Sequence, residues 1–291
     1  MLHKIKQIKI GPFITQVVEH YNDSHDHLYT SRRIRKGLNR LEVDKKHHRI
    51  KHTLRDISSL FTYKPELLTW WIGVLFIIGS ACFMAGSIMY LHFETSFSSL
   101  TMNLVFFIGS LFFTSAAYGQ YLEAINADIS KEADLEKKER EWIWFAWRVK
   151  NLGFLSSVSQ LIGTLLFNIN TFDGLLSHLT ALQEDILIWV PNMIGSILFL
   201  TASFLAWLEV YQDKNVNAFS SVTWWIIWVN ILGSVFFQLS ALKGYINLES
   251  GEAVNGILSL DYTLYGAACF LIGAYLLIVE MNESKRSKQV V

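Results

Sequence analysis

The sequence predicts an all-α membrane protein, with six transmembrane helices forming three parallel hairpin repeats behind a basic, helical cytoplasmic N-terminal region. Three observations carry this. Just over half of the 291 residues are apolar and only 17% are charged, an unusual balance for a water-soluble domain. Six runs approach or exceed the ~20 apolar residues that a bilayer core requires: Leu67–Leu91, Leu100–Tyr121, Leu152–Asn168, Ile186–Leu208, Val222–Tyr245 and Leu260–Val279. Finally, a short core, Gly-[Ser/Thr/Ala]-x-x-Phe, recurs near the middle of each run. Its glycines are Gly79, Gly109, Gly163, Gly195, Gly233 and Gly266.

The net charge is zero but unevenly spread. Residues 1–64 form a basic region containing Arg32-Arg33, Arg35-Lys36 and Lys45-Lys46. Lys and Arg mark cytoplasmic flanks. Alternate loops, His92–Ser99, Ile169–Asp185 and Ile246–Ser259, lack Lys and Arg altogether. Six spans with both termini cytoplasmic follow, with Lys243 near an outer helix end as the exception. No cleavable signal is visible in the basic N-terminus. In that region Ile34, Leu38 and Leu41, then Ile50, Leu54 and Ile57, fall at helical spacing. Thr30 or Ser31 is placed to cap the first such helix. Basic amphipathic helices of this kind dock on anionic headgroups or on a protein partner. No nucleic-acid-binding module is recognisable. His48 and His52 share a helix face, but no third ligand is fixed by spacing, and a solvated polar face is the expectation. No metal or cofactor is assigned.

The repeats set the remaining divisions: hairpins over 65–123, 151–211 and 222–281, a charged cytoplasmic helix over 124–150, and a tail over 282–291. That charged segment ends in Trp142, Trp144 and Trp147, which favour the headgroup level. The first and fifth spans share Trp-Trp-Ile, at Trp70-Trp71-Ile72 and Trp224-Trp225-Ile226, while the third has Phe154-Leu155 in the tryptophan positions. Small residues in mid-membrane allow close helix approach, and each Phe is expected to fill the neighbouring gap. Cys82 and Cys269 lie inside spans as small packing residues.

Two sets of polar residues are the candidate sites. The even spans each end in a glutamate fourteen residues after the core glycine: Glu123, Glu209 and Glu280. Fourteen residues span about 21 Å, beyond the roughly 15 Å of half a hydrocarbon core. These carboxylates therefore reach the cytoplasmic interface, where the negative end of the helix dipole disfavours them. A partner should offset that cost: an indole N–H or basic side chain of the next hairpin, or a cation held by the ring of three. The second set lies three residues before the core glycines: Gln160, Asn192, Asn230 and Thr263. These uncharged groups are interhelical glue or the lining of a polar groove. No Asp, Glu, Lys or Arg occupies the centre of a span, and no catalytic motif appears, so an enzyme is not expected.

The run from Trp70 to Ser87, WWIGVLFIIGSACFMAGS, resembles the YrhK-like domain, a two-helix bacterial membrane module. The hairpin from Trp70 to Glu123 is the nearest match, the third hairpin is similar, and the middle one departs by lacking the Trp pair. The resemblance implies hairpin repetition and a bacterial inner membrane, and it carries over no site residue. Two functions are expected of such a chain: a structural, interaction or sensing membrane protein, or a small cation channel or facilitator whose inner mouth is ringed by the three glutamates. Homo-oligomerisation is left open.

Overall fold

The structure, a computed structural model, describes residues 5–20, 25–36, 41–44, 63–127, 142–211, 221–248 and 253–283. Six of its helices are long and apolar enough to cross a membrane. They are α2 (Leu68–His92), α3 (Ser99–Asn126), α4 (Leu152–Asp173), α5 (Ala181–Val210), α6 (Val222–Lys243) and α7 (Gly256–Glu283). Within α5, residues Asp185–Trp189 form a π turn just ahead of Pro191. Proline has no N–H to give the preceding turn, and the π turn marks where the helical ladder is interrupted while the span continues. Each long helix packs on the next in sequence, and α7 returns to α2. The six therefore close a ring around one axis.

The same interlock holds each hairpin together. A Cβ on Gly79 would lie 3.0 Å from the Gly109 carbonyl, and one on Gly109 would lie 3.1 Å from that of Gly79. The pairs Gly163–Gly195 and Gly233–Gly266 are equally reciprocal. Only a residue without a side chain lets two backbones approach this closely. Each Phe four residues on then covers the partner's glycine, Phe113 over Gly79 and Phe83 over Gly109, for example. The small residue following each glycine (Ser80, Ser110, Thr164, Ser196, Ser234 or Ala267) is fully buried.

The N-terminal region differs from the expected amphipathic helices. It forms a four-stranded antiparallel meander of β1 (Ile5–Ile10), β2 (Phe13–His20), β3 (His25–Thr30) and β4 (Leu41–Asp44), with neighbours paired in chain order. Gly11, at φ +56°, turns β1 into β2 next to Pro12, a conformation glycine adopts without strain. Among the described residues of this region, the one helical turn is α1 (Ser31–Arg35), between β3 and β4, with the Thr30 hydroxyl capping it by accepting from the Arg33 N–H. Leu41 thus belongs to a strand and not to the helix begun by Ile34. Extended chain supplies ladder partners for backbone groups that an isolated short helix leaves unsatisfied. The second expected helix, with His47, His48 and His52, lies outside the described residues.

Most of the charged segment after α3 that the sequence assigns to a cytoplasmic helix, residues 128–141, lies outside the described residues. Helix α3 stops at Asn126, and residues 142–150 are not helical. Side chains hold this strap instead. The Asn126 amide donates to the Ile143 carbonyl at 2.8 Å and accepts from the Ile143 N–H at 2.9 Å. The Tyr121 hydroxyl likewise donates to the Ala146 carbonyl and accepts its N–H. Trp142, Trp144, Phe145 and Trp147 are left exposed. Lys64, just ahead of α2, donates to the Met281 carbonyl at 2.6 Å and so caps the end of α7.

Candidate functional site: a stoppered axial mouth

Glu123, Glu209 and Glu280 end α3, α5 and α7 on the face of the ring that carries the sheet, and all three are buried. They converge on α1. Lys36 Nζ lies 2.6 Å from Glu123, Arg35 Nη2 2.5 Å from Glu209, and Arg32 Nη2 2.8 Å from Glu280. The partners are therefore neither an indole nor a basic residue of the next hairpin, as the sequence suggested. They come from the N-terminal region, up to 248 residues away. The spacing explains the fit: positions 32, 35 and 36 are i, i+3 and i+4, which project from one side of a helical turn. Three cations meet three anions, so docking cancels the charge of the three carboxylates at the mouth.

A hydroxyl completes each carboxylate. Thr69 donates to Glu123 and Thr223 to Glu280. These threonines each stand ten residues before the core glycine of their own hairpin. The matching residue in the middle hairpin is Gly153. Its missing side chain is what admits the stopper: a Cβ there would lie 2.7 Å from Arg35 Nε and 2.9 Å from Glu209 Oε1. The hydroxyl for Glu209 comes instead from Ser31, on the stopper itself, at 2.6 Å. Burial acts to lower the basicity of both Arg32 and Lys36, but with different outcomes. Facing Glu280, with Glu209 and Glu123 beyond, Arg32 still ends above its ordinary value. For Lys36, burial with Arg35 and Arg32 beside it outweighs Glu123, and its pKa falls below the usual lysine value.

Under the stopper lies an axial cavity of about 70 Å³. Its roof includes Arg32, Arg35 and Lys36, and Gln160 and Asn230 stand in its wall together with Gln120. A second and larger cavity, about 440 Å³, occupies the opposite half of the ring, with Asn192 and Thr263 in its wall. The four mid-membrane polar residues thus divide between two chambers and do not line one groove. Some of the neighbouring hydroxyls act as glue: Ser240 bonds Thr263 within the third hairpin, and Ser203 bonds Ser234 across hairpins.

Phenylalanine separates the chambers. Phe83, Phe167 and Phe237 border the larger one, and Phe199 and Phe270 border the smaller. With Phe113 they make one connected cluster, including contacts between hairpins such as Phe83–Phe237 at 5.9 Å and Phe199–Phe270 at 5.6 Å between ring centroids. These are the six core-motif phenylalanines, which the sequence assigned to gap filling inside each hairpin. The residues that sequence reasoning missed are Ser31, Arg32, Arg35, Lys36, Thr69, Gly153 and Thr223. Their signals were the i, i+3, i+4 basic triplet and the repeat position shared by the two threonines. Among the described residues, no group of three or more His, Cys, Asp or Glu side chains is placed to hold a metal.

The fold and the axial site together define a multi-pass membrane protein. No protein-family model matches the chain, and comparison with curated proteins and with solved structures yields no match.

Proposed function

We propose that this protein is a gated channel or facilitator for small cations, described here in its closed state and locked by its own N-terminal domain. One observation carries the reading: two polar chambers lie on a single axis, separated by a phenylalanine cluster and closed at one end by a salt-bridged stopper. Hydrophobic constrictions gate by excluding water, and carboxylate rings select cations. With α1 withdrawn, Glu123, Glu209 and Glu280 form such a ring, and Thr69 and Thr223 are further oxygen donors. With α1 docked, tethered cations occupy the ring. The sheet then serves as the sensing part, since α1 lies between two of its strands and packs on β2 and β3. The Lys/Arg distribution favours a cytoplasmic sheet, and the YrhK-like resemblance favours a bacterial inner membrane. In this orientation the exposed Trp142–Trp147 strap rests on the inner leaflet.

Flux of K⁺ and Na⁺ through the purified protein in liposomes tests this. The wild-type chain should be tight. The triple substitution Arg32→Gln, Arg35→Gln and Lys36→Gln should raise cation flux and leave chloride flux unchanged. A second route avoids the stopper: Phe83→Ser with Phe237→Ser makes the constriction polar and should leak even with α1 in place. Tight liposomes for both variants, with helix content and monodispersity retained, would sink the pore reading. They would leave a structural or interaction protein in its place.

A further inference from the structure

The larger chamber has the composition of a ligand site, a property that gating alone does not require. At about 440 Å³ it falls within the ~300–1,000 Å³ of small-molecule pockets. All three hairpins contribute to its wall. Phe83, Phe106, Phe167 and Phe237 supply ring surface, and Trp189 joins them with its indole N–H fixed on the Ala241 carbonyl at 2.8 Å. Glu184 is the one charged residue of the lining. It sits in the first turn of α5 with no ion-pair or hydrogen-bond partner for its carboxylate among the described residues. The amides of Asn170 and Asn192 also face the chamber without such a partner. Among the described residues, no lysine or arginine lines it.

The geometry points to a site for a small organic ammonium ion that carries a hydroxyl or similar polar group. Aromatic faces attract a quaternary ammonium through the ring quadrupole. An unpaired carboxylate selects a cation over a neutral or anionic molecule, and free amides accept and donate to the polar end. A bare metal ion would use the carboxylate and amides but gain little from four phenylalanines and a tryptophan. An apolar molecule would use the rings but leave Glu184 and the two amides unmatched. The inference deepens the pore reading, since a vestibule of this kind sets which cation reaches the constriction. It rests on that reading for its role but not for the binding itself.

Choline is the probe. Its binding to the full chain is measured by calorimetry in a maltoside detergent, which brings no competing ammonium group. The comparison ligand is the neutral analogue with a tert-butyl group in place of the trimethylammonium. Choline should bind at least ten-fold more tightly than the analogue. Glu184→Gln should weaken choline about five-fold, the upper range for a half-exposed ion pair, and leave the analogue unchanged. Phe106→Leu, which keeps an apolar side chain in the wall but removes the ring, should weaken choline and hardly affect the analogue. Equal binding of the two ligands, or choline binding indifferent to Glu184→Gln, overturns the proposal, as does the absence of heat with a folded wild-type protein. Because no flux is measured, choline binding in a chain that never conducts would refute the pore reading and leave this site standing.

Discussion

Gly153→Ala is the smallest change that tests whether α1 is held by its ion pairs. The added methyl would sit 2.7 Å from Arg35 Nε, 2.9 Å from Glu209 Oε1 and 3.2 Å from Arg35 Cζ. All are below ordinary van der Waals separation. The atoms lie at the far ends of flexible side chains, but both groups are nearly fully buried and bound to each other at 2.5 Å, so a shift large enough to clear the methyl comes at the expense of their pair. Breaking a buried pair while the other charge stays behind costs about 3–5 kcal/mol. Alanine returns about 0.5–1 kcal/mol through its better helix propensity. The net loss of docking is thus about 2–4 kcal/mol, which is roughly a 30- to 1,000-fold rise in the undocked population. Trypsin reads that population directly, since Arg32 and Lys36 are cleavage sites that docking buries. When opening is fast relative to cleavage, the cleavage rate follows the open fraction. Cleavage after Arg32 and Lys36 should accelerate by that factor, while the thermal melting of the six-helix ring stays within a few degrees of wild type. An unchanged cleavage rate would show that α1 is held by something other than these pairs.

Other parts of the structure give equally definite outcomes. Thr223→Val removes the hydroxyl that donates to Glu280. A hydrogen bond to a buried charge is worth about 1.5–3 kcal/mol, so tryptic release of α1 should rise while the rest of the ring is unaffected. Gly195→Ala would drive a methyl to 2.9 Å from the Phe167 ring and 3.1 Å from the Gly163 carbonyl. Overpacking costs about 1–3 kcal/mol, seen as a lower denaturation midpoint in detergent, because the backbone contact cannot yield. Lys64→Met removes the donor to the Met281 carbonyl, and hydrogen exchange should quicken in the last turn of α7 with the mid-helix amides unchanged.

The spans were legible because hydrocarbon allows few alternatives: long apolar runs must be helical, and the six glycine cores pair as their spacing suggested. The glutamates were legible as groups needing a partner, from distance along the helix and the dipole. The partner's identity was not, since pairing a residue at position 36 with one at 123 depends on tertiary placement that no periodicity encodes. The N-terminal region misled for a different reason. Its basic charge and the Ile34, Leu38, Leu41 spacing mimic an amphipathic helix, whereas Gly11-Pro12 between two β-rich runs was the turn signal that mattered. Gly153 was hidden by its ordinariness. A glycine near a helix start reads as tolerance until the two threonines at the matching repeat positions show what it lacks.

Three buried ion pairs at one mouth do not imply a tightly bound stopper. Each charge loses several kcal/mol of hydration on burial, and the attraction regained is of similar size, so such pairs contribute little net stability. What they give is discrimination. A turn rotated by one position would present Arg33 where Arg32 meets Glu280, and would leave at least one carboxylate buried and unmatched at a cost of about 3–5 kcal/mol. Docking therefore has one permitted orientation and a net free energy well below the sum of three ion-pair attractions, the combination a reversible closure requires. The lowered pKa of Lys36 shows the same balance within the site: here burial and the neighbouring arginines outweigh Glu123. The docked state therefore holds that proton less tightly than the released state does. Between the lowered value and the ordinary lysine range, docking gains as pH rises and loses as pH falls through the lowered value. Alkaline conditions should tighten the stopper until the lysine is neutral in both states, the reverse of what a simple surface salt bridge would do. Tryptic release of α1 measured across alkaline pH, with Lys36→Arg as the non-titrating control, decides between the two. Faster release of the wild-type chain as pH rises, with the control flat, would refute the balance assigned to Lys36.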